Sequence, residues 1–267
     1  MSDIARPTAA PALDEALSKV PAVTLGFWII KILATTLGET GADLFTQQYE
    51  MGYAAGIALF ATPLVLLVAA QIRARAFHPL LYWATILAST TAGTALADFF
   101  DRSLGIGYLG GSLTLVACVG LSLLAWRLVL GTVSVASVAT PRAEIFYWIT
   151  ITFSQTLGTA LGDWTADSFG DATFMGLESG YVLGALIFAG LLGAIALLYR
   201  FTAASRTGLF WAAFILTRPL GATVGDFLDK PLAQGGLNLG RDYATAALVV
   251  AIALALWLVP QRAGKAH

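Results

Sequence analysis

Apolar residues recur along this chain in long runs that are separated by short polar segments. A helix needs roughly 20 apolar residues to cross the ~30 Å hydrocarbon layer of a bilayer. The runs therefore predict eight transmembrane helices, near residues 22–44, 52–71, 79–100, 106–130, 143–166, 178–200, 208–228 and 241–259. This pattern predicts an all-α integral membrane protein, with a transmembrane domain at 22–260 and tails at 1–21 and 261–267.

The first, third, fifth and seventh runs share a motif of an aromatic residue and Trp, followed by Gly and then Asp. The four Trp are Trp28, Trp83, Trp148 and Trp211, and in every copy Gly stands ten positions later and Asp fifteen positions later. Because this internal spacing is the same in all four copies, it indicates a structural repeat. We interpret the chain as four tandem two-helix units, near residues 22–75, 76–130, 141–200 and 206–260.

Units with two spans each return the chain to the same side, so all four copies run in the same direction. This is the parallel kind of repetition, related by an axis along the membrane normal. The first helices can then surround a common axis and place four Asp at one level: Asp43, Asp98, Asp163 and Asp226. The second helices would form an outer layer, although packing as two separate halves fits the sequence equally well.

Composition supports a membrane protein and excludes several other classes. Hydrophobic residues make up 58% of the chain and charged residues 12%, and the mean hydropathy is +0.78. An ordinary soluble domain is far less apolar. The formal net charge of −1 gives no reason to expect a nucleic-acid partner. One Cys and two His exclude a disulfide framework and leave little for a zinc or copper centre. We expect a lipid bilayer around the protein, no covalently bound cofactor, and a monomer or a homo-oligomer.

Charges predict the orientation of the chain. Ten basic residues fall on the side of the termini, against three on the other side: Arg6, Lys19, Arg73, Arg75, Arg127, Arg142, Arg200, Arg206, Arg262 and Lys265, against Arg102, Lys230 and Arg241. The positive-inside rule then places both termini in the cytoplasm of a bacterial inner membrane. Acidic residues gather on the opposite side, where they would attract cations.

The repeated Asp is the main candidate for a ligand. Each copy is expected near the C-terminus of its helix, where the helix dipole disfavours a carboxylate and a bound cation would compensate. Glu39 lies one turn before the first Asp, and a Thr lies seven residues before the Asp in three copies. The predicted site has carboxylates as cation or metal ligands and hydroxyls along a pathway: Glu39, Asp43, Asp98, Asp163 and Asp226, with Thr36, Thr91 and Thr156.

Two basic residues, Lys31 and Arg218, fall inside predicted spans. Charges in a span usually pair or line a path, and we expect Arg218 to pair with Glu39, with Lys31 as the alternative partner. Asp101 and Asp229 are each followed directly by a basic residue, which we interpret as surface ion pairs. The repeated Trp is interpreted as an interfacial anchor, and the repeated Gly as a close contact between helices.

The repeated segments read TTLGETGAD, TTAGTALAD, QTLGTALGD and RPLGATVGD. With their Gly-x4-Asp pattern they resemble a bacterial family of uncharacterised multi-pass membrane-anchored proteins, over the stretch from Phe27 to Pro260. That resemblance implies no activity. In logic, though not in motif, the chain is similar to small cation exchangers with duplicated Glu-x-Gly-Asp segments. It lacks their Gly-Asp-Lys continuation, so this similarity implies divalent cations and assigns no residue a role.

Oxygen ligands without nearby His, Cys or Met suit a hard ion. The sequence therefore predicts a transporter or channel whose substrate is Mn²⁺, Mg²⁺ or Ca²⁺, with or without proton coupling. One alternative is a membrane scaffold or sensor that transports nothing. Another is a metal-dependent intramembrane enzyme, for which the paired Asp residues are sparse and no nucleophile and base pair is visible.

Overall fold

The computed structural model describes residues 17–170, 173–174, 177–178 and 180–265, and helices dominate it. The described residues form eight α-helices: α1 (Leu25–Asp43), α2 (Tyr53–Arg73), α3 (Pro79–Asp98), α4 (Gly107–Leu130), α5 (Pro141–Ser168), α6 (Gly180–Phe201), α7 (Arg206–Asp229) and α8 (Arg241–Leu258). Each helix begins and ends within three residues of a predicted run. The prediction of a helical fold is confirmed at this level.

Short strands accompany the helices: β1 (Leu17–Pro21), β2 (Thr173–Phe174), β3 (Leu177–Glu178) and β4 (Ala263–Lys265). Strand β1 pairs antiparallel with β4, and β2 pairs antiparallel with β3. Residues 17–21 and 263–265, which the apolar pattern assigns to the two tails, therefore bind each other. The rest of the predicted N-terminal tail, residues 1–16, lies outside the described residues. The sequence predicted an all-α protein, and these four short strands were not expected.

The first helix of each unit begins after a residue whose side chain accepts a hydrogen bond from a backbone N–H of the first turn. Thr24, Thr140 and Ser205 cap α1, α5 and α7 in this way, which satisfies one of the free donors of the first turn. Helices α1 and α3 end at the repeated Asp and continue as one π-helical turn each. Helices α5 and α7 run on past their Asp. The repeated Asp therefore lies near the C-terminus of its helix in every copy, as expected.

The first helices form a closed ring in which α1 packs on α3, α3 on α5, α5 on α7, and α7 on α1. The second helices lie outside it: α2 covers α3, α4 covers α5, α6 covers α7, and α8 covers α1. Each unit therefore covers the inner helix of the next unit, and the fourth covers the first. This arrangement excludes two separately packed halves.

The outer helices present apolar side chains to their surroundings. Leu128 on α4 is 75% exposed and Trp257 on α8 is 81% exposed, as expected of residues that face lipid tails. Five helices, α2, α3, α4, α6 and α8, are long and apolar enough to cross a membrane. The other three, α1, α5 and α7, carry polar and charged residues that are buried inside the ring. The fold is that of a multi-pass membrane protein.

Candidate cation site

Aromatic residues fill the ring at the end where the first helices begin. In every unit the aromatic residue before the Trp packs on the Trp of the next unit, with these distances between ring centroids: Phe27 to Trp83 5.5 Å, Tyr82 to Trp148 5.7 Å, Tyr147 to Trp211 6.2 Å and Phe210 to Trp28 5.7 Å. We call these eight residues the aromatic layer. The hydroxyls of Tyr82 and Tyr147 share a 2.6 Å hydrogen bond within it. The layer closes this end of the axis.

The interpretation of the repeated Trp as interfacial anchors is wrong for three of the four copies, whereas Trp28 is partly exposed. Trp83, Trp148 and Trp211 are between 1% and 4% exposed. Two of the indole N–H groups bond inside the protein, from Trp83 to Gln261 and from Trp211 to the carbonyl of Val133. The indoles point at the neighbouring unit because its aromatic residue offers them a packing surface.

The repeated Gly permits the inner helices to approach each other closely. A Cβ added at any of the four would crowd the next inner helix, in the pairs Gly38 with Thr90, Gly93 with Gln155, Gly158 with Arg218, and Gly221 with Thr35. The prediction that these glycines serve helix packing is confirmed. The pairs also run from each unit to the next around the ring.

Arg218 occupies the centre of the ring and is fully buried. Its Nη2 lies 2.9 Å from Oε2 of Glu39 and 2.6 Å from Oγ1 of Thr159, and it also contacts Thr94. The predicted pair of Arg218 and Glu39 is present. Glu39, Thr94 and Thr159 each follow the repeated Gly of a different unit. One guanidinium therefore joins all four units. Its Nε and Nη1 are buried and contact no acceptor in the described chain.

Lys31 is also fully buried, nearer the aromatic layer. Its ammonium lies 3.4 Å from Oε1 of Gln155 and 4.2 Å from the ring centroid of Phe214. Within the described residues it pairs with no carboxylate, so the alternative pair with Glu39 is absent. An amide oxygen and an aromatic face are its partners instead.

The four repeated Asp residues form two pairs, each joined by a basic residue. In the arginine clamp, Arg102 Nε lies 3.1 Å from Asp98 and Nη2 lies 3.2 Å from Asp163. In the lysine clamp, Lys230 Nζ lies 2.8 Å from Asp43 and 3.1 Å from Asp226. The Asp side chains therefore do not all converge on one point. Each clamp joins an even-numbered unit to the next unit around the ring.

Burial alone lowers the pKa of Lys230, but three carboxylates around it outweigh that effect. Asp226, Asp43 and Asp229 raise this pKa well above its ordinary value. The ammonium of the lysine clamp is therefore protonated at neutral pH.

The two surface ion pairs inferred between adjacent residues are wrong. Asp101 is buried, and its oxygens accept no hydrogen bond from the described residues. Asp229 pairs with Arg241 at 3.2 Å, not with its neighbour Lys230. On a helix, side chains four residues apart share a face and adjacent ones do not. The missed signal is Asp-x3-Arg in the second unit and Asp-x3-Lys in the fourth.

Three of the predicted ligands come together. Glu39, Asp43 and Asp226 are buried, and each offers a carboxylate oxygen within 4.8 Å of the others. Oδ1 of Asp43 is buried and accepts no hydrogen bond from the described residues. Carboxylate oxygens are the ligands that hard cations prefer, so this donor set fits one. Asp98 and Asp163 lie apart from it in the arginine clamp.

The three hydroxyls of the predicted pathway bond to their own helices and not to the carboxylates. The hydroxyls of Thr36, Thr91 and Thr156 donate to carbonyls four residues earlier in their own helices, a common way for Thr to satisfy itself in a helix. The hydroxyls that reach the centre belong to Thr94 and Thr159.

Two cavities lie at the end of the ring opposite the aromatic layer. One has a volume of about 500 Å³ and is lined by Asp226, Lys230 and Gln47. The other has a volume of about 450 Å³ and is lined by Asp163 and Asp167. Arg102 and Tyr181 line both cavities. The lysine clamp therefore borders the first cavity, and the arginine clamp borders both.

The closed ring, its apolar outer layer and its polar axis define a membrane protein built from four tandem two-helix repeats. A family model described as Repeat of Unknown Function (DUF347) matches residues 26–77, 81–132, 146–205 and 209–263. The chain belongs to this family, and the four matches coincide with the four structural units. Neither a curated protein nor a solved structure matches the chain.

Proposed function

We propose that this protein is a membrane transporter or channel for a small hard cation, namely Mn²⁺, Mg²⁺ or Ca²⁺. The observation that carries this proposal is the buried group of Glu39, Asp43 and Asp226, whose oxygens lie within 4.8 Å of one another. Ionisable residues inside a membrane domain are costly, and they usually mark the path of an ion or proton. A scaffold would gain little from three carboxylates held this close.

The route proposed for the ion begins at the cavity of about 500 Å³, whose wall includes Asp226 and Lys230. It continues along the axis to the layer of Glu39 and Arg218. The aromatic layer closes the far end, so an ion reaches the site from one side only. Passage through the protein then requires the aromatic residues to separate, as in alternating access.

We place all eight helices across the bilayer, with both termini in the cytoplasm of a bacterial inner membrane. The support for α1, α5 and α7 as spans is that their charged residues away from the helix ends are buried inside the ring, so outer helices shield them from lipid. The support for the orientation is the excess of Arg and Lys at the end that carries β1 and β4.

Flux measurements in proteoliposomes test the proposal. We expect radiolabelled Mn²⁺ to enter vesicles that contain the protein, and we expect Asp226→Asn and Glu39→Gln to lower the rate about tenfold or more, since each removes a charged ligand. The matched control is Asp167→Asn, which removes an exposed carboxylate near the same end and should leave the rate within about twofold.

The observation that favours a scaffold is that each repeated Asp already has a basic partner within the protein. In that case the clamps only neutralise charge and join units. Vesicles with the wild-type protein that take up Mn²⁺, Mg²⁺ and Ca²⁺ no faster than empty vesicles would favour this alternative.

A further inference from the structure

The lysine clamp contains one positive charge fewer than its carboxylates require. Glu39, Asp43 and Asp226 carry three formal negative charges, and Arg218 balances the one on Glu39. Arg241 lies 3.5 Å from Asp43, but it is held at 3.2 Å by Asp229, so these two charges cancel. Two negative charges then face the single ammonium of Lys230. A divalent ion in the place of that ammonium would balance them fully.

The position of Lys230 would allow its ammonium group to move away from Asp43 and Asp226. It follows the last residue of α7, and its side chain is 11% exposed and lines the cavity of about 500 Å³. Gln234 lines the same cavity and offers an amide oxygen to a displaced ammonium, whereas the oxygen of Gln47 already accepts a hydrogen bond from Arg241. A lysine carries a compact charge on a flexible stem. Between Asp43 and Asp226 it occupies the space a metal ion would take.

The arginine clamp also sets one positive charge against two carboxylates, and Arg102 lines the same cavity, but its cation is held at more points. Arg102 contacts Asp98 and Asp163 through two different nitrogens, and a third nitrogen lies 3.3 Å from the hydroxyl of Tyr53. A planar guanidinium fixed at several points is held more rigidly than an ammonium. The described residues place no third carboxylate in this clamp comparable to Glu39. The arginine clamp thus has the features of a structural link.

We propose that Lys230 is an internal substitute for the transported ion, which a divalent cation displaces from Asp43 and Asp226. This inference rests on the proposed function, and it specifies that the transported ion carries two positive charges. In the empty state the ammonium neutralises part of the site. When the ion enters, the ammonium moves into the cavity, and its return helps to release the ion. A monovalent ion would leave one negative charge unbalanced, so the exchange favours divalent ions.

Binding of Mn²⁺ to the purified full chain in detergent tests the inference. Lys230→Met keeps a similar side-chain length and removes the charge, so the competitor is lost. We expect this variant to bind Mn²⁺ about tenfold more tightly than wild type, and to release it more slowly. Saturating Mn²⁺ should also raise its unfolding temperature more than that of wild type. The matched control is Arg75→Met, which removes an exposed basic residue between α2 and α3 at the opposite end of the ring, and whose Mn²⁺ affinity should stay within about twofold of wild type.

Lys230→Arg gives a second measurement that does not depend on the folding of Lys230→Met. Its guanidinium can bridge both carboxylates at once, so we expect Mn²⁺ binding about tenfold weaker than wild type. Mn²⁺ affinity equal to wild type in either Lys230 variant, while Asp226→Asn abolishes binding, would overturn the inference and leave the proposed function standing. Failure of wild type and all variants to bind Mn²⁺ or transport it would overturn both.

Discussion

At the scale of single residues, the polar groups of the axis link units that are distant in sequence. Arg218 contacts Glu39, Thr94 and Thr159, one residue from each of the other three units. Breaking a buried ion pair costs more than the pair contributes in net stability, because the remaining charge is stranded without a partner. The central layer is therefore sensitive to the loss of either partner and less sensitive to the loss of both.

Arg218→Met tests this asymmetry. The substitution strands the Glu39 carboxylate among buried groups, and we expect it to lower the free energy of unfolding by about 3–5 kcal/mol. Arg218→Met combined with Glu39→Leu removes both charges and should recover most of that loss. Thermal unfolding in detergent, followed by circular dichroism, gives the comparison. A double variant no more stable than Arg218→Met would contradict the role of the pair.

The sequence allowed some of these residues to be predicted and not others. Lys31, Glu39 and Arg218 stand out because charges are rare inside apolar runs, and Glu39 with Arg218 is a contact in the structure. The clamps were missed because an Asp and the basic residue next to it look like partners in a linear reading. Helical geometry instead selects the residue four positions on, which is Arg102 for Asp98 and Lys230 for Asp226.

At the scale of helices, length and polarity were enough to place the boundaries, because membrane thickness and capping residues fix both ends. The surroundings of the repeated Trp side chains could not be predicted in this way. An aromatic residue at the end of an apolar run suits the membrane interface, and it suits a packed layer equally well. Only contacts between units decide which applies, and those depend on the closed ring.

Glycine substitutions in α1 measure how closely the inner helices must approach. A Cβ at Gly38 would overlap the side chain of Thr90, whereas a Cβ at Gly41 meets no atom within 4 Å. We expect Gly38→Ala to lower the free energy of unfolding by about 1–3 kcal/mol. The matched control Gly41→Ala should be neutral or stabilising by up to ~1 kcal/mol, because Ala favours helix.

Chemical unfolding of the two variants in the same detergent measures the difference. Equal stability of Gly38→Ala and Gly41→Ala would show that the helices separate easily at Gly38, and that the contact with Thr90 contributes little. A lower stability of Gly38→Ala alone would support the close contact.

At the scale of the whole molecule, three kinds of contact run from one unit to the next. The aromatic contacts, the glycine contacts and the outer helices all do so, and the fourth unit connects to the first in each case. The sequence indicated the repeat and its parallel direction, because four equal spacings are visible in one chain. It did not indicate that α2 covers α3 rather than α1, since both helices are near in sequence and similar in polarity.

A closed ring has no intrinsic first unit, and a circular permutant tests this property. Strands β1 and β4 hold the ends of the described chain together, with Leu17 opposite Lys265. A short linker between these ends, with new termini between Ala203 and Ala204, moves the opening to another junction at the same end of the ring. We expect this permutant to keep the ring and to unfold within about 5 °C of wild type.

The control permutant opens instead between Gly235 and Gly236, in the connection from α7 to α8. Its termini would lie at the opposite end of the ring, next to the lysine clamp, and we expect little folded protein because both new termini, with Lys230 and Arg241 near them, would have to reach the side that carries few basic residues. The yield of monodisperse protein and the unfolding temperature measure both outcomes. Loss of the folded state in the first permutant would mean that the order of insertion, and not the closed ring of contacts, determines this fold.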